Sequence, residues 1–145
     1  MDCPFCIIDK KQTEIIKDGK YFYVTLSNPR LVPGHLLIIP KRHIEKISEL
    51  TKKEREELFE LIIEFQEKIL KKFSSGCDLK QHYRPFIKQS WVKVSHLHFH
   101  LQPREFKDEL YEKCQRFETE KGIFKMLTSK ERKKFVKLFG CAKEK

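Results

Sequence analysis

The chain has 145 residues, 39% hydrophobic and 36% charged, with a formal net charge of +10. That length fits one domain with a real core, and the balance excludes a disordered chain. No apolar run could span a bilayer and no basic-then-apolar leader opens the chain, so a cytoplasmic protein is expected, and the charge favours an anionic partner: nucleotide, nucleic acid or phosphorylated metabolite.

Cys3-Pro4-Phe5-Cys6 opens the chain. Five cysteines, an odd number, argue against a disulfide framework. In a reducing compartment a CxxC pair is a redox dithiol or half of a zinc site. Redox pairs usually follow a strand and open a helix, and no strand precedes this one, so zinc is favoured. Cys77, Cys114 and Cys141 read as ordinary thiols.

Two β-prone runs, Glu14 to Lys17 and Lys20 to Leu26, flank Asp18-Gly19, which predicts a hairpin with a type I′ turn. Ser27 to Arg30 breaks the second strand, and Pro33-Gly34 makes another turn. His35 to Ile39 predicts a third strand, stopped by Pro40. Its continuous apolar run predicts a central position, covered on both faces. After the Lys41-Arg42-His43 loop, Thr51 to Glu54 is a capping box. It opens a helix whose stripe of Leu58, Leu61, Ile62, Phe65, Ile69 and Phe73 predicts core, with Gly76 as its C′ residue.

Cys77 to Gln81 predicts a strand, and 82 to 88 an irregular segment around Pro85. Between Lys71 and Lys93 stand six basic residues and one acidic. A strand is then expected from Trp91 to Gln102. Helical patterns follow over 108–120 and 128–139, the second with a Thr128 to Glu131 capping box and a close at Gly140. The tail from Cys141 should fray. The order predicts an α+β fold with a largely antiparallel sheet.

The chemistry concentrates in His96-Leu97-His98-Phe99-His100. Strand residues two apart share a face, so the three imidazoles line one side while Leu97, Phe99 and Leu101 line the other. Packing alone is a poor explanation, since each buried unpaired polar group costs on the order of 1–3 kcal/mol. Imidazoles can act near neutral pH as nucleophile, base or metal ligand, so a purely metal-binding triad is the stronger rival.

These residues make the chain similar to the histidine triad family of nucleotide hydrolases and transferases. Asn28 to His43, containing Pro33-Gly34-His35, an apolar strand and Pro40-Lys41-Arg42-His43, resembles the family's upstream signature. The long helix falls where the family has its main helix, and Cys-Pro-Phe-Cys resembles its zinc-binding members. The resemblance implies a HIT-like α+β fold over residues 1–104, with about five mostly antiparallel strands and one long helix. A helical extension over 105–145 is expected to pack on the same domain. It implies that His98 attacks the α-phosphorus of a nucleotide and carries the nucleotidyl group. It implies that His100 holds the phosphate and assists the leaving group, and that His35 orients the triad. It further implies one structural zinc on Cys3, Cys6, His43 and His96, and a homodimer.

The segment before the triad departs from the family. Members carry Asn/Gln-x-Gly there, in a phosphate-contacting loop, whereas 81–91 here lacks glycine. Arg84, Lys88, Gln89 and Ser90 are the candidates for phosphate contact, with His82 a weaker one expected to be exposed. Gln102 and Arg104 continue the histidine face, and Asn28 heads the upstream signature, so all three are expected at the substrate. The leading expectation is an enzyme that cleaves or transfers a nucleoside monophosphate from a phosphoanhydride or phosphoramidate donor, the nucleotide most simply an adenine one. The alternatives are a zinc-stabilised nucleic-acid-binding module, with Trp91, Tyr83 and Phe86 stacking on bases, and aprataxin-like processing of adenylated nucleic-acid ends.

Overall fold

Five strands, β1 (Ile15–Asp18), β2 (Phe22–Leu26), β3 (Leu36–Pro40), β4 (Gly76–Lys80) and β5 (Phe99–Arg104), form one antiparallel sheet in the order β1-β2-β3-β5-β4. The computed structural model describes residues 2–9, 11–90 and 92–140. Trp91, expected to begin the histidine strand, and the tail from Cys141 lie outside the described residues. The described chain divides into two compact units, residues 1–108 and 109–145. None of its helices is long and apolar enough to cross a membrane.

In the first unit, helix α1 (Lys52–Lys72) follows β3 and a short 3₁₀ turn at Ile47–Glu49. Its capping box forms as the sequence predicts: Thr51 Oγ1 accepts from the Glu54 amide, and the Glu54 carboxylate accepts from the Thr51 amide. Glu54 also receives Arg42 through two bonds of 2.7 and 3.0 Å, which ties the 41–43 loop to the helix. Leu58, Leu61, Ile62, Phe65 and Ile69 are buried against Phe22, Val24, Leu36, Ile38, Phe99 and Leu101. Each such side chain contributes roughly 1.5–3 kcal/mol, as an upper bound. Phe73 is the exception. It lies beyond the helix end and is 58% exposed, so it is not core.

Three other local expectations are corrected. The β1–β2 hairpin forms, but neither Asp18 nor Gly19 has a positive φ, so its turn is not type I′. Glu57 on α1 instead accepts from the amides of Lys20, Tyr21 and Phe22 at 2.7–2.8 Å, and tertiary anchoring decides the turn. Gly76 opens β4 opposite Arg104 rather than capping α1. The histidine strand begins at Phe99, not at 91, because only from there do β3 and β4 flank it, and it runs through Pro103 to Arg104.

The second unit contains a π turn at Tyr111–Gln115 continuing into α2 (Arg116–Glu120), then α3 (Ser129–Phe139). The predicted capping box of Thr128 and Glu131 forms at the start of α3.

Candidate active site and metal centre

The site lies on the sheet face away from α1. β5 pairs His100 with Leu37 of β3, and the face carries Tyr23, Leu37 and Ile39, against which Phe5 and Ile8 pack. The amide of Leu97 donates to the carbonyl of Ile44, so His96 and His98 keep their alternation before the ladder begins. His35 arrives at the head of β3 through Gly34, whose φ of +76° suits glycine. A Cβ at Gly34 would also meet the Phe73 ring at 2.8 Å.

Backbone partners determine the histidine tautomers, read from the hydrogen-bond network. The Leu31 amide donates to His35 Nδ1 at 3.2 Å, so His35 carries its proton on Nε2. That Nε2 donates to His100 Nδ1 at 2.8 Å, which leaves His100 with an N–H on Nε2. His98 Nδ1 donates to the carbonyl of His96 at 2.7 Å, so His98 Nε2 holds a free lone pair. The rings of His98 and His100 are 4.8 Å apart. One free lone pair thus stands beside one N–H donor. Burial, followed by the neighbouring histidines and Lys80, pushes His35 down to about 4 and His100 down to about 3. Burial also lowers His98, against the raising effect of its bond to His96. Burial thus favours the neutral form of all three imidazoles, the form that a nucleophile or a neutral hydrogen-bond donor would need.

Beside this group, Cys3, Cys6, His43 and His96 bring one ligand atom each within 4.8 Å of one another. Cys3 Sγ and Cys6 Sγ lie 3.4 and 3.6 Å from His96 Nδ1, and Cys6 Sγ lies 3.3 Å from His43 Nδ1. Sulfur and nitrogen ligands of one tetrahedral zinc are about 3.6 Å apart, so the set fits. His96 Nε2 donates to the carbonyl of Pro40 at 2.8 Å, which leaves Nδ1 as its ligand atom and supplies the outer bond typical of metal-bound histidine. Phe5, between the two cysteines, sets its ring edge-on to His96 and His98, with centroids 5.8 and 5.1 Å away. The Tyr23 hydroxyl donates to the Phe5 carbonyl. The metal loop and the candidate nucleophile therefore touch through one ring.

The other expected residues divide. Gln89 Oε1 accepts from the Ser95 amide, and Ser90 Oγ accepts from the amides of Val92 and Lys93, so both shape the loop from inside. Lys88 is exposed on that loop, and Asn28 is exposed in the β2–β3 turn. Arg104 is held by Asp78 and Asp108 at 2.6–2.8 Å. Gln102 is buried on β5, and its Oε1 has no partner. Sequence reasoning undervalued His82. It is exposed, as expected, yet its ring stands 5.6 Å from that of His100. The signal was indirect: His82 lies two residues past Lys80, which the β4–β5 register sets opposite His100.

Comparison with known proteins follows the same lines. The model of the HIT domain matches residues 9–107. A HIT family protein from Bacillus anthracis superposes with a TM-score of 0.66 at 22% identity, covering 94% of each chain. A hypothetical protein from Leishmania major superposes with a TM-score of 0.67 at 19% identity, covering 95% of this chain and 93% of that one. The diadenosine triphosphate hydrolase of Plasmodium falciparum superposes with a TM-score of 0.60 at 24% identity, covering 70% of this chain and 66% of that one. At these identities the structures share the fold.

Proposed function

The chain belongs to the HIT domain family, and on that premise we propose that it cleaves a nucleoside monophosphate from a phosphoanhydride or phosphoramidate through a covalent intermediate on His98. The observation that carries this reading is the lone pair left on His98 Nε2 by the 2.7 Å bond from its Nδ1 to the His96 carbonyl. Nε2 attacks the α-phosphorus, an N–P bond forms, and the bond to the leaving group breaks with its electron pair. The His100 Nε2–H donates to a phosphate oxygen as charge gathers there, and His35 holds His100 in that tautomer. Water or an acceptor phosphate then attacks phosphorus and returns the electron pair to His98. Phe5 and Ile8 offer the nucleoside an apolar surface beside the nucleophile.

Zinc on Cys3, Cys6, His43 and His96 would serve structure. Four protein ligands close its coordination, and the bound ion would anchor the loop carrying Phe5. Free thiols in that set suit a reducing, cytoplasmic compartment. The protein is further read as a homodimer: Phe59, Ile63 and Leu70 lie within about 40° on α1 and are all exposed. One observation favours a second reading, action on adenylated nucleic-acid ends. Tyr83 and Phe86 are exposed beside Arg84 and Lys88. Salt-sensitive oligonucleotide binding by the protein would support that reading, and no binding at low salt would remove it.

The test of the main reading is turnover on a panel of adenylated and uridylylated donors. Wild type should turn over at least one donor, and His98→Ala none. Equal turnover by His98→Ala would reject the mechanism.

A further inference from the structure

The positive charge of the chain is unevenly spread. Residues 121–140 carry seven basic side chains and one acidic, a balance of +6 out of the chain's +10. The acidic one, Glu131, is held in the α3 capping box, where it accepts from the Thr128 amide at 2.9 Å. All of these residues are exposed. They include Ile123, Phe124, Met126 and Leu127 ahead of α3, with Met126 93% exposed, and Phe135, Val136, Leu138 and Phe139 on it. At about 100° per residue, the four on α3 fall within an arc of about 160°. Lys130, Lys133, Lys134 and Lys137 fall within about 100° on the opposite side. Arg132 stands on the apolar side, where its long stem lets the guanidinium reach out to water or phosphate. The Phe135 and Phe139 rings stack with centroids 5.8 Å apart, so the apolar arc presents a continuous aromatic surface.

A cover for this segment has to be apolar and anionic at once. The chain outside 121–140 has a net charge of +4, so a second copy offers no charge complement. A nucleic acid would meet the cations and leave the apolar arc in water. An anionic lipid surface meets both, its phosphates facing the lysines and its headgroup–acyl boundary taking the apolar arc. The irregular run over 123–128 carries apolar side chains as well, which a deformable lipid surface accommodates and a protein groove shaped for one helix does not. We propose that residues 121–140 are an anchor for an anionic membrane surface, with α3 lying in the plane of the bilayer. Its Phe135 and Phe139 enter the boundary and its lysines stay among the phosphates. The helix lies on the bilayer and does not cross it.

The test is cosedimentation of the full chain with vesicles of phosphatidylcholine alone and of equal parts phosphatidylcholine and phosphatidylglycerol. The proteins are wild type, Phe135→Ser/Phe139→Ser and Lys133→Gln/Lys134→Gln/Lys137→Gln. All five positions are exposed, so both variants should melt as wild type does. Wild type should bind the anionic vesicles and not the neutral ones. The lysine changes should weaken binding about 100-fold, at roughly fivefold per cation. The phenylalanine changes, which leave the charge untouched, should weaken it at least about tenfold. No binding of wild type to the anionic vesicles would overturn the anchor. Binding that the phenylalanine changes leave intact would overturn it too, and would make the segment a basic surface open to any polyanion, nucleic acid included. Self-association of wild type that the phenylalanine changes abolish would assign the face to a second copy and overturn the anchor.

Discussion

The tautomer chain Leu31–His35–His100 leaves the His100 N–H on Nε2, the nitrogen proposed to meet the substrate. His35→Ala should therefore lower kcat by about 10–100-fold with a smaller change in KM, since His100 would lose the partner that sets its N–H. Steady-state kinetics on the preferred donor check this. His35 also sets a pH dependence of stability. Its folded value is about 4, below the unfolded value of about 6.5. As pH falls below about 6.5 the unfolded chain takes up the proton first, so stability declines until about pH 4 and then levels. The contribution is of the order of 3 kcal/mol. Urea midpoints across that range should fall less steeply in His35→Gln than in wild type, and parallel curves would refute the assignment. The triad was legible at this scale because alternation is a property of sequence. His82 was not, because its place depends on the register of two strands nineteen or more residues apart.

Elements were legible where the signal was local. Both capping boxes, the apolar run of β3 and the stripe of α1 from Leu58 to Ile69 form as expected. Signals failed where another element supplied the deciding partner. The Asp18-Gly19 dipeptide was overruled by Glu57, whose carboxylate serves three amides of the turn. Glu57→Ala should thus cost at least about 2 kcal/mol, more than a typical surface change, and chemical denaturation measures it. The loop carrying Cys3 and Cys6, which could hold a metal ion, meets the histidines through Phe5. Cys6→Ser should reduce metal content and thermal stability together, with a loss of activity on the same samples. Unchanged melting with metal lost would separate the loop from the fold.

For the whole molecule, the charge and the face of the sheet point in one direction. A net charge of +10 matches an anionic substrate, and the sheet face supplies the chemistry. The family's fold could be read from the first hundred residues, where motif and register agree. The second unit, residues 109–145, was legible as helices alone, because its patterns carry no chemical motif. The exposed row of Phe59, Ile63 and Leu70 belongs to the whole-molecule scale as well. Sedimentation should give a dimer for wild type and a monomer for Ile63→Glu, and a monomeric wild type would refute that use of α1.

The most direct measurement is intact-protein mass spectrometry of quenched reactions, with wild type and His98→Ala each incubated with diadenosine triphosphate, nucleoside phosphoramidates, UDP-sugars and adenylated DNA. The account predicts a wild-type adduct of one nucleoside monophosphate, absent from His98→Ala. An adduct that persists in His98→Ala, or product formed by wild type with no trace of adduct under rapid quench, would contradict it.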